Sequence, residues 1–171
     1  ADALSRTAPA GVSWPDWDNP VAFVPVEGAE IVDEMGSSRS NMDEAATVVQ
    51  MVTEILDAME LSSGDIGVIS PYAGQVRLLK TLFEQSGGTS EGERFHGLEV
   101  KTVDGFQGRE KELIIISTVR SNEQGTVGFL KDKRRLNVAM TRAKRGLLVI
   151  GDSKTLRHDP SWASWLDWVE E

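Results

Sequence analysis

Short apolar runs alternate along this chain with segments whose apolar residues recur every three or four positions. Ile66–Ser70 and Leu147–Gly151 are runs of the first kind and read as buried strands, and Leu98–Val103 and Leu113–Thr118 read as strands between them. Val21–Val26 reads as a further short strand. Asn41 stands where it can cap a helix running to about Met59, whose stripe is Val48, Val49, Val52, Ile55, Leu56 and Met59, with Glu44 as an N-terminal acid. Ala73–Ser86 brings Val76, Leu79, Leu82 and Phe83 to one face, and Lys133–Lys144 and Trp162–Val169 read as two more helices. Trp162, Trp165 and Trp168 fit a hydrophobic stripe on the last helix better than a base-stacking platform. Residues 1–20 read as an irregular arm, Glu27–Ser40 as a loop and Ser86–Gly97 as a polar loop bearing glycines. Strands alternating with helices predict right-handed crossovers and a mainly parallel sheet covered on both faces, a single α/β domain over 21–171. Ligands of such sheets bind beyond the carboxyl ends of the strands, which points to the loops after Ile66–Ser70 and Leu98–Val103.

Composition narrows the function classes. With 40% hydrophobic and 26% charged residues in 171, the chain is long enough to bury a core without staples. It has no cysteine, which excludes disulfides and thiolate metal sites, and His96 and His158 stand too far apart to suggest a metal centre. No apolar run approaches the roughly 18 residues of a membrane span. The net charge of −9 argues against nucleic acid until it is divided along the chain. Residues 1–65 carry 13 acids and 2 bases, whereas Lys131–Arg145 carries 7 bases and 1 acid. A local patch, not the global charge, decides what binds.

The basic patch belongs to the most informative stretch, RRLNVAMTRAKRGLLVIGD from Arg134 to Asp152. Leu136, Ala139, Met140 and Ala143 form the buried face of the expected helix, and Arg135 and Arg142 share another. Arg142 lies between small residues just before an apolar strand, so its guanidinium is expected at the sheet edge, where it can neutralise charge on a transferred phosphoryl group. Upstream, VDGFQGREKELIIIS from Val103 to Ser117 is a polar glycine-bearing loop leading into a strand. Gly105 and Gly108 let the backbone approach a phosphate, Gln107 can bridge to one, and Glu110 can accept from a ribose hydroxyl. The segment Ile69–Gln75 ends a strand and opens a helix, a place suited to holding a phosphate backbone or stacking on a base. Two other strings mislead. Gly146–Ser153 has P-loop spacing but puts Asp152 where the lysine must be, and Ile31–Glu34 imitates a Mg²⁺-binding acidic pair without the strand that should precede it.

Taken in order, Ile66–Gln75, Val103–Ser117 and Gly128–Asp152 resemble the C-terminal RecA-like domain of the Upf-like superfamily 1B helicases. GFLKDKRRLNVAMTRAK is close to that family's motif VI along its whole length, and the likeness runs from about Trp14 to Trp168. The resemblance implies a RecA-like three-layer sandwich, the P-loop NTPase fold in a second motor domain without its own P-loop, acting in 5′-to-3′ unwinding of RNA or DNA inside the cell. It implies that Arg142 is the arginine finger and Gln107 its catalytic companion. Gly108, Arg109 and Glu110 would contact the nucleotide, and Thr102, Ser70, Pro71, Tyr72, Gln75 and Arg135 would face a single strand. ATP would sit between this domain and an N-terminal RecA-like domain, which would also hold Mg²⁺. The competing expectation is a non-catalytic module using the same fold to bind protein or nucleic acid.

Overall fold

The computed structural model describes residues 8–34, 36, 38–106 and 110–170. Its centre is a five-stranded sheet of β1 (Val21–Pro25), β4 (Ile66–Ser70), β5 (Glu99–Thr102), β6 (Lys111–Ser117) and β7 (Ala143–Gly151). The order is β1-β7-β6-β4-β5, and every neighbouring pair is parallel. Two short strands, β2 (Glu30–Val32) and β3 (Arg39–Asn41), pair antiparallel apart from it. They occupy the stretch expected to be loop, and Ile31 and Val32 remain exposed there.

The three central strands, β4, β6 and β7, are largely apolar because each supplies two cores. Ile66 and Val68, Leu113 and Ile115, and Leu148 and Ile150 point to one face, under α1 (Met42–Asp57) and α2 (Ala73–Glu91). Their neighbours Ile69, Ile114, Ile116, Leu147 and Val149 point to the other, under α3 (Lys133–Met140) and α5 (Pro160–Glu170), with the short α4 (Ser153–Leu156) between β7 and α5. The result is the expected helix–sheet–helix sandwich. Trp162 is buried in the second core, its Nε1 donating to the Leu130 carbonyl at 3.0 Å, and Trp165 meets it edge to face. The tryptophan stripe is thus core at two of its three positions, with Trp168 half exposed.

The structure differs from the sequence expectation at three boundaries. The stretch read as a loop at Ser86–Gly97 continues α2 to Glu91 and then tightens into a 3-10 turn over Gly92–Phe95, where Phe95 packs on Phe83. α3 stops at Met140, four residues short of the expected end, because β7 begins at Ala143 and the ladder with β6 takes the following backbone groups. The arm keeps no regular structure over residues 8–20, yet Trp14 is built into the first core, with its Nε1 donating to the Pro9 carbonyl at 2.8 Å.

The second face carries a constraint that shapes the site. Between β5 and β6 the chain must return from the carboxyl to the amino edge through residues 103–110. Phe106, fully buried, lies on that face directly over Gly67 of β4. A Cβ on Gly67 would come within 2.5 Å of the Phe106 ring and 3.0 Å of Ile114 Cδ1. Gly67→Ala should therefore lower stability by about 1–3 kcal/mol through overpacking, measured by chemical denaturation. An unchanged midpoint would mean that Phe106 is free to move aside.

Candidate functional site

The chemistry-bearing residues fall on two opposite edges of the sheet. Parallel strands put all amino ends together, and Lys111 of β6 pairs with Ala143 of β7. Glu110 and Arg142, which immediately precede those partners, therefore stand at the amino edge, and the Lys111 N–H donates to the Arg142 carbonyl at 3.0 Å. Two expectations need correction here. Arg142 is not on the helix with Arg135 but beyond its end, and the loop bearing Glu110 begins at a carboxyl edge and finishes at the opposite one. The seven residues of β6 separate the edges by roughly 20 Å at strand rise.

Arg142 is half-buried, as its place between small residues suggested. Its Nε is buried and has no hydrogen-bond partner among the described residues. Such a donor is costly to leave unmet, by about 1–3 kcal/mol and more for a charged group. Glu110 beside it is exposed. A partly sunk cation with an unmet donor and an exposed carboxylate suit an anionic, hydroxyl-bearing ligand such as a nucleotide. Gln107, Gly108 and Arg109, expected to contact that ligand, lie outside the described residues. Among the described residues no group of three or more His, Cys, Asp or Glu is placed to hold a metal ion.

The carboxyl edge gathers the residues expected to face a strand. Pro71, Thr102, Asp104, Phe129 and Arg135 line one groove. Arg135 donates from Nε to Asp104 at 3.1 Å and pairs with it through its second nitrogen, while Thr102 Oγ1 accepts from the Gly105 N–H at 3.2 Å. A second groove, of about 200 Å³, holds Ser38, Arg39, Tyr72, Arg120 and Phe129. Ser70 and Gln75 are buried instead of open to the grooves, and Tyr72, though buried, still lines the second one. Ser70 Oγ accepts from the Tyr72 N–H at 3.3 Å. Gln75 accepts from the Asn41 N–H at 2.8 Å and donates to the Asn41 carbonyl and Ser117 Oγ, each at 3.1 Å. Its side chain ties α1, α2 and β6 together and does not reach the surface.

Beneath this edge lies a polar network that sequence reasoning credited only as a helix cap. Asn41 does cap α1, accepting from the Glu44 N–H at 3.1 Å. Its amide also donates to Gly28 O at 2.8 Å and Val119 O at 3.0 Å. Glu44 is fully buried and accepts from Ser117 Oγ at 2.8 Å and the Val119 N–H at 2.9 Å. Val119 has φ +72°, a strained conformation for a β-branched residue, about 1–3 kcal/mol. Asn41 and Glu44 hold it there from both sides, and the turn sends Arg120 back under the groove. Arg120, only 4% exposed, donates to Glu30 at 3.1 Å and to the Tyr72 hydroxyl at 3.1 Å. Burial opposes its charge, but Tyr72 and Glu30 outweigh that and hold its pKa above the usual value. Glu30 shows the converse: burial raises it, while Asn122, the Ser121 N–H and Arg120 together bring it below the ordinary carboxylate range. The hint of Arg120 in the sequence is a cation just past the apolar run Leu113–Ile116.

With this geometry in place, comparison with known proteins is decisive. An AAA domain family model matches residues 2–154. The chain belongs to that family. Within it, this is a RecA-like domain closely related to Upf-like superfamily 1 helicases. Regulator of nonsense transcripts 1 of Dictyostelium discoideum is 43% identical over 93% of the chain and 12% of its own length. ATP-dependent helicase upf1 of Schizosaccharomyces pombe is 41% identical over 87% and 16%. Probable helicase MAGATAMA 3 of Arabidopsis thaliana is 43% identical over 78% and 16%. The chain thus spans less than a fifth of the length of these relatives.

The Glu44 network carries a pH signature. Burial, reinforced by Asp152 and only partly offset by the Val119 N–H and Ser117, raises its pKa to about 7 from an ordinary 4.5. The folded domain therefore holds a proton that the unfolded chain has already lost between these values. The contribution of Glu44 to stability is greatest below the unfolded pKa and is lost as pH rises from about 4.5 to 7. At about 1.4 kcal/mol per unit the loss is on the order of 3 kcal/mol. The stability difference between the native chain and Glu44→Gln, followed by urea denaturation, should shift against the native chain across that interval. A difference independent of pH would show that Glu44 does not titrate there.

Proposed function

We propose that this domain forms one wall of an ATP site within a longer RNA or DNA helicase that moves 5′ to 3′, with Arg142 as its arginine finger. The observation that carries the reading is the buried Nε of Arg142 at the amino edge, unpartnered among the described residues and one residue from the ladder that fixes Glu110. The other wall would be a RecA-like domain bearing the P-loop lysine and the acids that hold Mg²⁺.

ATP, when bound, supplies a γ-phosphoryl group on which negative charge spreads during transfer to water. Arg142 meets that charge with a guanidinium held in place before the reaction, which limits the reorganisation needed. Glu110 accepts from the ribose. By family resemblance Gln107 bridges to the phosphate, and Gly108 and Arg109 line the nucleotide. At the carboxyl edge Pro71, Thr102 and Arg135 contact the single strand, while Ser70, Tyr72 and Gln75 act from beneath by fixing its floor. α3 joins the two edges, with Arg135 near its start and Arg142 just past its end. The competing module reading has no use for an unmet guanidinium donor at the amino edge.

In a full-length helicase containing this domain, Arg142→Ala should cut ATP turnover by roughly 10³, with kcat suffering more than nucleotide affinity. Arg142→Lys should fail to restore it, since a flexible point charge cannot replace the planar fork. The fold should persist, because Leu136 and Ala139 still bury α3. Steady-state hydrolysis alongside thermal denaturation checks both halves. Intact turnover with a melted domain would make Arg142 structural. The 171-residue chain by itself should hydrolyse no ATP, and robust turnover by it would overturn the shared-site reading.

A further inference from the structure

The ring of Phe129 is 55% exposed, yet nothing about its setting is loose. It sits in a 3-10 turn over Gly128–Lys131, and the turn is braced from below. The Phe129 N–H donates to the Tyr72 hydroxyl at 3.3 Å, and the Phe129 and Tyr72 rings lie 5.2 Å apart at 34°. Tyr72 is itself pinned by Arg120, whose guanidinium carbon stands 5.9 Å from its ring centre. The preceding Gly128 adopts φ +55°, and a Cβ there would come within 2.1 Å of Arg120 Nη1 and 2.6 Å of the Tyr72 hydroxyl. The sequence therefore pays for a tight, glycine-dependent turn whose outcome is an aromatic face held out in water.

Phe129 also lines both carboxyl-edge grooves, so it forms the ridge between them. The surroundings select the occupant. Lys131, Lys133, Arg134 and Arg135 follow within six residues and are exposed. Asp132, the acid among them, caps α3 by accepting from the Arg135 N–H. A rigid apolar face beside a row of cations fits a base and the phosphates flanking it. It does not fit an apolar protein surface, which would have to desolvate those cations.

We propose that Phe129 is a stacking platform that holds one base of the single strand between the two grooves. The platform rests on the reading of this edge as a nucleic-acid track, but it adds a contact that a backbone-only track lacks. It makes binding depend on the presence of a base without depending on which base, since every base offers a π-face.

The test compares two strands of about 12 nucleotides, oligothymidylate and an abasic sugar-phosphate of the same length, binding to the 171-residue chain at low salt by fluorescence anisotropy. The native chain should prefer oligothymidylate. Phe129→Leu should weaken that binding by about fivefold or more, leave the abasic strand unaffected, and keep the slope of log affinity against log salt. Phe129→Trp should restore the preference, and the melting temperature of both variants should match the native chain. Arg135→Gln should instead weaken both strands and flatten the salt slope. Phe129→Leu binding both strands like the native chain, or losing both equally, would overturn the platform while leaving the track standing. A native chain that bound neither strand would overturn both.

Discussion

An all-parallel sheet obliges the chain to travel back from carboxyl edge to amino edge after every strand, and the organisation of this domain follows from how it makes those returns. α1 and α2 make two of them on one face. On the other, α3 completes the return from β6 to β7, while the passage from β5 to β6 opens on a 3-10 turn over Asp104–Phe106. That passage lies against the sheet only because Gly67 leaves room for Phe106. Both returns on this face begin among residues suited to a nucleic-acid strand and end beside Glu110 or Arg142. The edge carrying Glu110 and Arg142 and the edge carrying Thr102 and Arg135 are thus spaced by the length of β6.

The carboxyl edge has a different support. Its floor is a set of buried polar side chains whose hydrogen bonds reach across elements far apart in sequence: Asn41 to Val119, Gln75 to Ser117, Glu44 to both Ser117 and Val119. Such a network is directional where an apolar core is not, and it fixes the turn at Val119 that delivers Arg120 to Tyr72. The charge on Arg120 is then balanced by Glu30 from the small β2–β3 pair. An acidic N-terminal region, which looks hostile to nucleic acid by composition, thereby supplies the counter-charge that keeps a buried guanidinium in place.

Much of this was legible in the sequence because parallel strands covered on both faces leave an unmistakable apolar signature. Ile66–Ser70 is legible to the residue, and the spacing of Leu136 and Ala139 in the Arg134–Arg145 stretch gives the buried face of α3. What escaped reading depends on partners distant in sequence. The helix through Arg142 looked continuous because AMTRAK has good helix formers, but pairing of Lys111 with Ala143 outcompetes propensity and ends α3 at Met140. The Ser86–Gly97 stretch looked like a loop for the opposite reason: its glycines and polar residues disfavour a helix that packing of Phe95 on Phe83 nevertheless completes. Gln75 looked like a ligand contact at a helix start, and only the fold reveals that Asn41 and Ser117 claim its amide. For Gln107, Gly108 and Arg109 the resemblance alone speaks.

The ladder bond from the Lys111 N–H to the Arg142 carbonyl has a mechanical meaning. It links the residue after Glu110 to Arg142 itself, so the backbones carrying the carboxylate and the guanidinium share one sheet edge. Neither can advance on a ligand while the other stays behind without breaking the β6–β7 ladder at its first rung. Opening and closing about such a pair is consequently a displacement of the whole domain, with the sheet acting as a stiff plate and not as a set of independent fingers. A displacement of the amino edge is carried to the opposite edge through the hydrogen-bonded strands β4, β6 and β7 between them.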